Sequence, residues 1–316
     1  MLRTRSEATH KKIRASDAPR PIRIALLIAL LTAVLLTVAF ASSAAQAEGA
    51  LRIGVIADLH AHDLDSPIEG KWMSNTESRL MEFVNAMNEW SADLVIQLGD
   101  FVNGWIVLGV DPGDPSRIPG ILSWADGLLA GFHGPRLHVI GNHDVYNLDK
   151  EQFKERLGLE STYYSLDANG FHLVVLDVQF DDQGNDLAHT YTGVAGFVPD
   201  VELQWLAEDL AATDLPTLVC VHQRIEDFVE EWGRAVIGNA TQLQQVLADD
   251  GDVIAVFQGH AHTNHDSLID GIHYITFEAL VDQGTPPSWA AITLDSTLRT
   301  IDIEGVGDQE SYTLVY

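Results

Sequence analysis

The residues with the most chemistry to offer stand in a row at Gly141-Asn142-His143-Asp144. An amide, an imidazole and a carboxylate can hold a metal ion or move a proton, and the preceding glycine lets the chain turn sharply after an apolar run. The same residue types also build ordinary surface turns, so this stretch by itself decides little. Four other stretches carry the same set: Asp58-Leu59-His60, Gly99-Asp100, Val221-His222 and Gly259-His260-Ala261-His262. Their donors are imidazoles and carboxylates with no thiolate, which suits divalent Mn, Fe or Zn and gives no reason to expect copper(I) or an iron-sulfur cluster. The single cysteine, Cys220, lies inside an apolar run before His222 and reads as a small buried hydrophobe, not a nucleophile.

Something must carry these five stretches to one place. Each follows a run rich in β-branched residues, at 51–57, 94–98, 136–140, 217–221 and 253–258. Such runs read as buried strands, and in α/β proteins ligands collect beyond the carboxyl ends of parallel strands, so loops from Asp58 to His262 can converge. Helices are expected between them. Leu80, Phe83, Val84 and Met87 fall on one face of 76–90, and shorter helical patterns cover 121–129, 147–157, 199–212 and 240–247, the last with Asn239 as its cap. Asp167-Ala168-Asn169-Gly170 between 162–166 and 171–178 signals a hairpin, as do Asp270-Gly271 and Asp295-Ser296 further on. The loops at 109–119 and 179–198 are rich in Gly and Asp; the first reads as an ordinary surface loop, with a pocket rim as the alternative, and the second offers His189 and Tyr191 as candidate substrate contacts.

Read in order, the blocks are Asp-x-His, Gly-Asp, Gly-Asn-His-Asp, Val-x-x-His and Gly-His-x-His. This resembles the calcineurin-like metallophosphoesterase superfamily over residues 51 to about 295. The resemblance implies a four-layer α/β sandwich of two mixed β-sheets flanked by helices. It also implies two divalent metal ions, with Asp58, His60 and His262 on one, Asn142, His222 and His260 on the other, and Asp100 bridging them. Seven donors exceed what one tetrahedral zinc takes but suit two ions sharing a carboxylate. A hydroxide shared by the ions would attack phosphorus in line, His143 would contact the phosphate or protonate the leaving oxygen, and Asp144 would orient His143. In the purple acid phosphatase branch a ferric-binding tyrosine stands where this chain has Asn103, which argues against that branch and leaves Asn103 as a substrate contact. The combination of these blocks with Tyr146-Asn147 and Tyr163-Tyr164-Ser165 looks like the manganese-dependent ADP-ribose/CDP-alcohol diphosphatase branch.

The amino terminus is read apart from the fold. Seven basic residues precede residue 24, an apolar run follows from 24 to 41, and Ala45-Gln46-Ala47 has the form of a cleavage site. Residues 1–47 are therefore expected to be a secretory signal, or an uncleaved membrane anchor since about 18 apolar residues can span a bilayer. Residues 48–316 would form the exported catalytic domain, periplasmic or extracellular. Without 1–47 the chain has 11 basic against 44 acidic residues, a formal charge of −33. That surface repels nucleic acid and anionic lipid, so the expected partner is a small phosphorylated molecule, with membrane contact only through the amino-terminal segment. Against this scarcity of bases, Arg224, two residues beyond His222, is a candidate phosphate clamp; the alternative is a salt bridge to Glu226 or Asp227.

The expected function is hydrolysis of phosphoric esters or diphosphates of small molecules. The alternatives are a phosphomonoesterase or cyclic nucleotide phosphodiesterase on the same site and, in a different class, a non-catalytic phosphate- or nucleotide-binding protein. A scaffold that had given up catalysis would be expected to lack a ligand, and none of the seven is missing.

Overall fold

In the computed structural model the described residues are 50–62, 73–104, 115–189, 196–226, 236–282 and 286–316. The chain alternates strand and helix through its first half: β1 (Ala50–Ile56), α1 (Thr76–Trp90), β2 (Leu94–Gln97), α2 (Ile118–Leu129), β3 (Arg136–His138) and α3 (Lys150–Leu157). A hairpin, β4 (Tyr164–Ala168) and β5 (Phe171–Val175), opens the second half. Then come α4 (Asp200–Leu210), β6 (Thr217–Cys220), α5 (Ala240–Asp250) and β7 (Val253–Gln258). Five strands close the chain: β8 (His265–Ile269), β9 (Ile272–Thr276), β10 (Trp289–Asp295), β11 (Thr300–Val306) and β12 (Tyr312–Val315).

These strands make two six-stranded sheets, ordered β12-β11-β10-β1-β2-β3 and β4-β5-β6-β7-β9-β8. Both are mixed. Strands β1, β2 and β3 run parallel in the first sheet, as do β5, β6, β7 and β9 in the second, while the remaining pairings are antiparallel. The parallel strands matter for function because their carboxyl ends all point the same way within a sheet.

Side-chain alternation explains the layers. Leu51, Ile53 and Val55 of β1 face Leu173, Val175, Leu218, Cys220 and Phe257 in one core between the sheets. The opposite face of the first sheet, with Ile56 and Val95, is covered by Leu80, Phe83, Val84 and Met87 of α1, Ile121 and Leu122 of α2, and Phe153 of α3. Val174, Val219 and Val256 on the outer face of the second sheet meet Leu203, Leu206 and Leu210 of α4 and Leu243 and Leu247 of α5. The order is thus helix, sheet, sheet, helix, the four-layer sandwich expected from the sequence, and Gly49–Tyr316 forms one compact unit.

The predicted α1 range is observed without change, because its i, i+3, i+4, i+7 stripe is buried as a unit. Helix α3 starts three residues later than expected: Asp149 caps it, accepting from Gln152 N while Gln152 Oε1 accepts from Asp149 N, a reciprocal capping box. Asn239 precedes α5 but its side chain pairs with Val198 N and O, so it fastens a loop and is not a side-chain cap. No helix among the described residues is long and apolar enough to cross a membrane. The apolar run at 24–41 and the proposed boundary at residue 47 lie outside the described residues, as do residues 109–114 of the first glycine-rich loop and Tyr191.

Candidate metal centre

All five blocks converge beyond the carboxyl ends of β1, β2, β3, β6 and β7. The loops are fastened to one another by backbone bonds: Asp58 N to Gly99 O (3.2 Å), His60 N to Asp100 O (2.8 Å) and Gly259 N to His222 O (3.0 Å). Side chains add to this, since His143 N donates to Asp100 Oδ1 at 2.7 Å and His260 N donates to Asp58 Oδ2 at 2.8 Å. Gln97 accepts from Gly99 N and donates to Val139 O, tying the Asp100 loop to the segment that enters Gly141. Close approach requires glycine at positions 99 and 141, among others. A Cβ on Gly99, which has φ +93°, would strike the His222 ring, and one on Gly141 would strike the backbone and carboxylate of Asp100.

Five of the seven expected ligands have left-handed backbones: Asp58 (φ 52°), His60 (45°), Asp100 (50°), His260 (67°) and His262 (53°). A non-glycine residue in this region costs about 1 kcal/mol or more, and such strain gathers where a side chain must be aimed. Here each strained residue sits at a turn off a strand, pointing its donor inward.

The donors fall into two groups joined by Asp100. In the first, Asp58 Oδ1 lies 3.3 Å from His262 Nε2 and 3.8 Å from His60 Nε2, and the two imidazole nitrogens are 3.2 Å apart. In the second, His222 Nε2 lies 3.1 Å from Asn142 Oδ1 and 3.3 Å from His260 Nδ1. Asp100 directs Oδ2 toward His60 Nε2 (3.6 Å) and Oδ1 toward His222 Nε2 (3.2 Å), one oxygen to each group. Asp58, His60, Asp100 and His222 are buried; Asn142, His143, His260 and His262 are partly open to solvent.

This arrangement fits divalent ions better than it fits itself. Imidazole nitrogens facing one another gain little from hydrogen bonding, and Asp58 Oδ1 is buried with no hydrogen-bond partner. Electrostatics point the same way. Burial works against the charge of Asp58 and Asp100, yet neighbouring histidines hold both carboxyls below the ordinary range: His262 and His222 for Asp58, and His222, His143 and His60 for Asp100. Burial also opposes a charged His222, but the carboxylates of Asp100 and Asp58 push it up to about 9. Its neighbour His260 is driven down to about 4 by burial and by His222, because two cations cannot share that space. The pocket attracts positive charge, and hard oxygen with imidazole nitrogen is the donor set of Mn, Fe or Zn.

The outward nitrogens of the imidazoles are held as well. His60 Nδ1 meets Asn103 Oδ1 at 3.0 Å, His222 Nδ1 meets Leu98 O at 2.7 Å, and His262 Nδ1 meets the Asp282 carboxylate at 3.2 and 3.3 Å. Asn142 Nδ2 donates to Tyr146 Oη at 2.7 Å, which turns its Oδ1 toward His222. Sequence reasoning missed Asp282 and Leu98 O as supports, and it noted Tyr146 only as a branch marker. Asp282 lies just past the carboxyl end of β9, one more parallel strand, which was the available signal.

His143 stands beside the cluster. Its ring is 4.5 Å from that of His60 and 4.6 Å from that of Tyr146, and one of its ring nitrogens lies close enough to His60 and Asp100 to share an ion with them. Three expectations are corrected here. Asp144 does not orient His143: its oxygens accept from Val102 N (2.9 Å) and Gly141 N (2.8 Å), while His143 Nδ1 faces Gly104 O at 3.2 Å. Fully buried, Asp144 has its carboxyl pushed up to about 7 by burial and by Asp100, against the pull of those two N–H groups. Arg224 is not placed to clamp a phosphate, for it is wholly buried and pairs with Glu226 at 3.2 Å, the alternative read from the sequence. Asn103 is buried against His60, so it supports a ligand and does not line the substrate opening. Of the loop candidates, His189 is exposed with its backbone N–H on Val145 O.

The family model described as calcineurin-like phosphoesterase matches residues 51–264. A manganese-dependent ADP-ribose/CDP-alcohol diphosphatase from Arabidopsis thaliana is 23% identical over 72% of this chain and 86% of its own length. Among solved structures, a dimetal phosphatase from Danio rerio superposes with a TM-score of 0.70 at 20% identity, over 84% of this chain and 99% of that one. A purple acid phosphatase from yellow lupin gives 0.52 at 13% identity, over 85% of this chain and 54% of that one. Both share the fold.

Proposed function

This chain belongs to the calcineurin-like phosphoesterase family, and from that premise we propose that it is an exported hydrolase of small-molecule diphosphates or phosphoric esters, working with two divalent ions. The observation that carries the proposal is the pose of Asp100, which turns one carboxylate oxygen toward each of two groups of nitrogen and oxygen donors. Asp58, His60 and His262 would hold one ion, Asn142, His222 and His260 the other, and Asp100 both. Ions bound there would acidify a shared water and neutralise charge on a phosphoryl group.

The chain's own residues supply the rest. His143 is partly open to solvent, so a substrate can reach it, and Gly104 O engages its Nδ1. Its Nε2 is the position from which an imidazolium would give a proton to a leaving oxygen. Asp144 acts at one remove, tying Val102 and Gly141 together so that the Asp100 and Asn142 loops keep their spacing.

Diphosphates of small molecules are favoured as substrates by the likeness to the Arabidopsis thaliana diphosphatase, whose description also makes manganese the first metal to try. A phosphomonoester or cyclic nucleotide would use the same centre. Export rests on the basic and apolar pattern of residues 1–47. The test is turnover by the purified chain with Mn, Zn, Fe and Mg against ADP-ribose, a phosphomonoester, a bis-ester and a cyclic nucleotide, with the amino terminus read by mass spectrometry. Faster turnover of ADP-ribose with Mn, and a start after Ala47, are expected. No turnover of any substrate with any metal would favour a binding protein instead.

A further inference from the structure

We infer that Asp282 is a positioning residue for His262 and makes the Asp58, His60 and His262 half of the centre the tighter of its two metal positions. The inference rests on the two-ion reading above and adds an order of loading to it.

The two halves differ in what stands behind their ligands. His262 Nδ1 faces both oxygens of Asp282, at 3.2 and 3.3 Å, while its Nε2 points inward to Asp58 Oδ1 and His60 Nε2. A carboxylate only accepts, so the hydrogen of a neutral ring belongs on Nδ1 and the lone pair on Nε2. Behind His222 and Asn142 in the other half the acceptors are neutral, Leu98 O and Tyr146 Oη. His60, with Asn103 behind it, is also neutral in this respect. Among these supports, Asp282 is the one that brings a negative charge. An anion behind an imidazole raises the basicity of the inward nitrogen and fixes the ring, and losing such a support costs about 10- to 100-fold in metal affinity.

The position of Asp282 is set by the metal loop itself. Beyond β9 the chain runs alongside the end of β1, where Ala57 bridges Ala279, Leu280 N donates to Ala57 O at 2.8 Å and Val281 N donates to Asp58 O at 3.2 Å. From the other side the buried Arg79 donates to Leu280 O. The residue after Val281 is thereby locked to the backbone of one ligand, Asp58, and reaches another, His262. Its side chain is 39% exposed, so solvent screens part of the charge and the effect belongs at the lower end of that range.

The test is a calorimetric Mn²⁺ titration of the full chain after chelator treatment, wild type beside Asp282→Ala and Asp282→Glu, with the ring tautomer of His262 read by ¹⁵N NMR in the zinc-loaded protein. Wild type should bind in two unequal steps with His262 protonated on Nδ1. Asp282→Ala should weaken the tighter step by about tenfold, leave the weaker step within about twofold and loosen the tautomer preference, and Asp282→Glu should recover part of the loss. Unchanged binding in Asp282→Ala, or equal weakening of both steps with a lower Tm, would overturn the inference while leaving the two-ion reading intact. A wild-type chain that took up no metal would overturn the two-ion reading and this inference with it.

Discussion

Two clusters of histidine and aspartate stand at opposite ends of the second sheet, and they are wired differently. At the amino end of β5, His172 puts Nδ1 on Asp167 at 2.7 Å and Nε2 on Asp209 at 3.0 Å, and Asp209 also accepts from Ser165 Oγ. Every ring nitrogen there meets an oxygen. At the carboxyl ends of the strands, imidazole nitrogens face each other at 3.2 and 3.3 Å, and a carboxylate oxygen is buried unpartnered. The first cluster is complete as it stands, an ion pair that fastens β4, β5 and α4. The second becomes satisfied only when a cation joins it. Residue type does not separate the two; direction of the donors does.

On that contrast the largest effect comes from Asp100, the residue both halves share. Asp100→Asn should lose at least one ion and reduce turnover by orders of magnitude, while circular dichroism stays that of the wild type. Two ions retained at full activity would break the assignment.

A smaller loss is expected at His143, which lies beside the cluster without being one of the seven ligands. His143→Ala should keep both ions and slow substrates with poor leaving groups by roughly 10² to 10⁴ fold, as for a lost general acid. A nitrophenyl ester, which needs little protonation on leaving, should suffer less. Equal losses for both would indicate phosphate binding, and loss of an ion would make His143 a ligand, a role its nearness to His60 and Asp100 allows.

The smallest effect sharpens the comparison from the other side. Burial disfavours a charged His172, but Asp167 and Asp209 outweigh it and raise its pKa above 6.5. The raised value means that the cluster's contribution is fully present below about pH 6.5 and fades as pH rises through the folded value. His172→Asn should therefore leave metal content and turnover unchanged and lower Tm by about 1 to 3 °C in mild acid, with the difference shrinking in alkali. A loss of activity would mean that the two clusters are coupled.

How much of this was legible beforehand follows from the same physics. The five blocks could be read because each ligand sits within a few residues of a strand end, where the run of apolar residues stops and donors begin. The helix-sheet-sheet-helix order could be read because buried strands and striped helices alternate along the chain. The outer supports left little to read. Leu98 and Gly104 act through backbone carbonyls, which leave no mark on residue type, and Asp282 is one of 46 acidic residues. Arg224 stands out by its rarity among the bases, yet past the end of β6 the chain carries it into the interior, against Glu226. Asn103 and Asp144 meet His60 Nδ1 and the Val102 N–H instead of the partners expected of them, since which atom a short polar side chain meets depends on loop geometry that spacing does not encode.

The most direct test of the central claim is the number of ions each chain holds. The full chain, stripped with chelator and dialysed against Mn²⁺, should carry about two ions by elemental analysis, and turnover should vanish with the chelator and return with the metal. His222→Ala, which opens only the second group, should hold about one. A wild-type chain that held no ion, or one that turned over substrate equally well when stripped, would contradict the account.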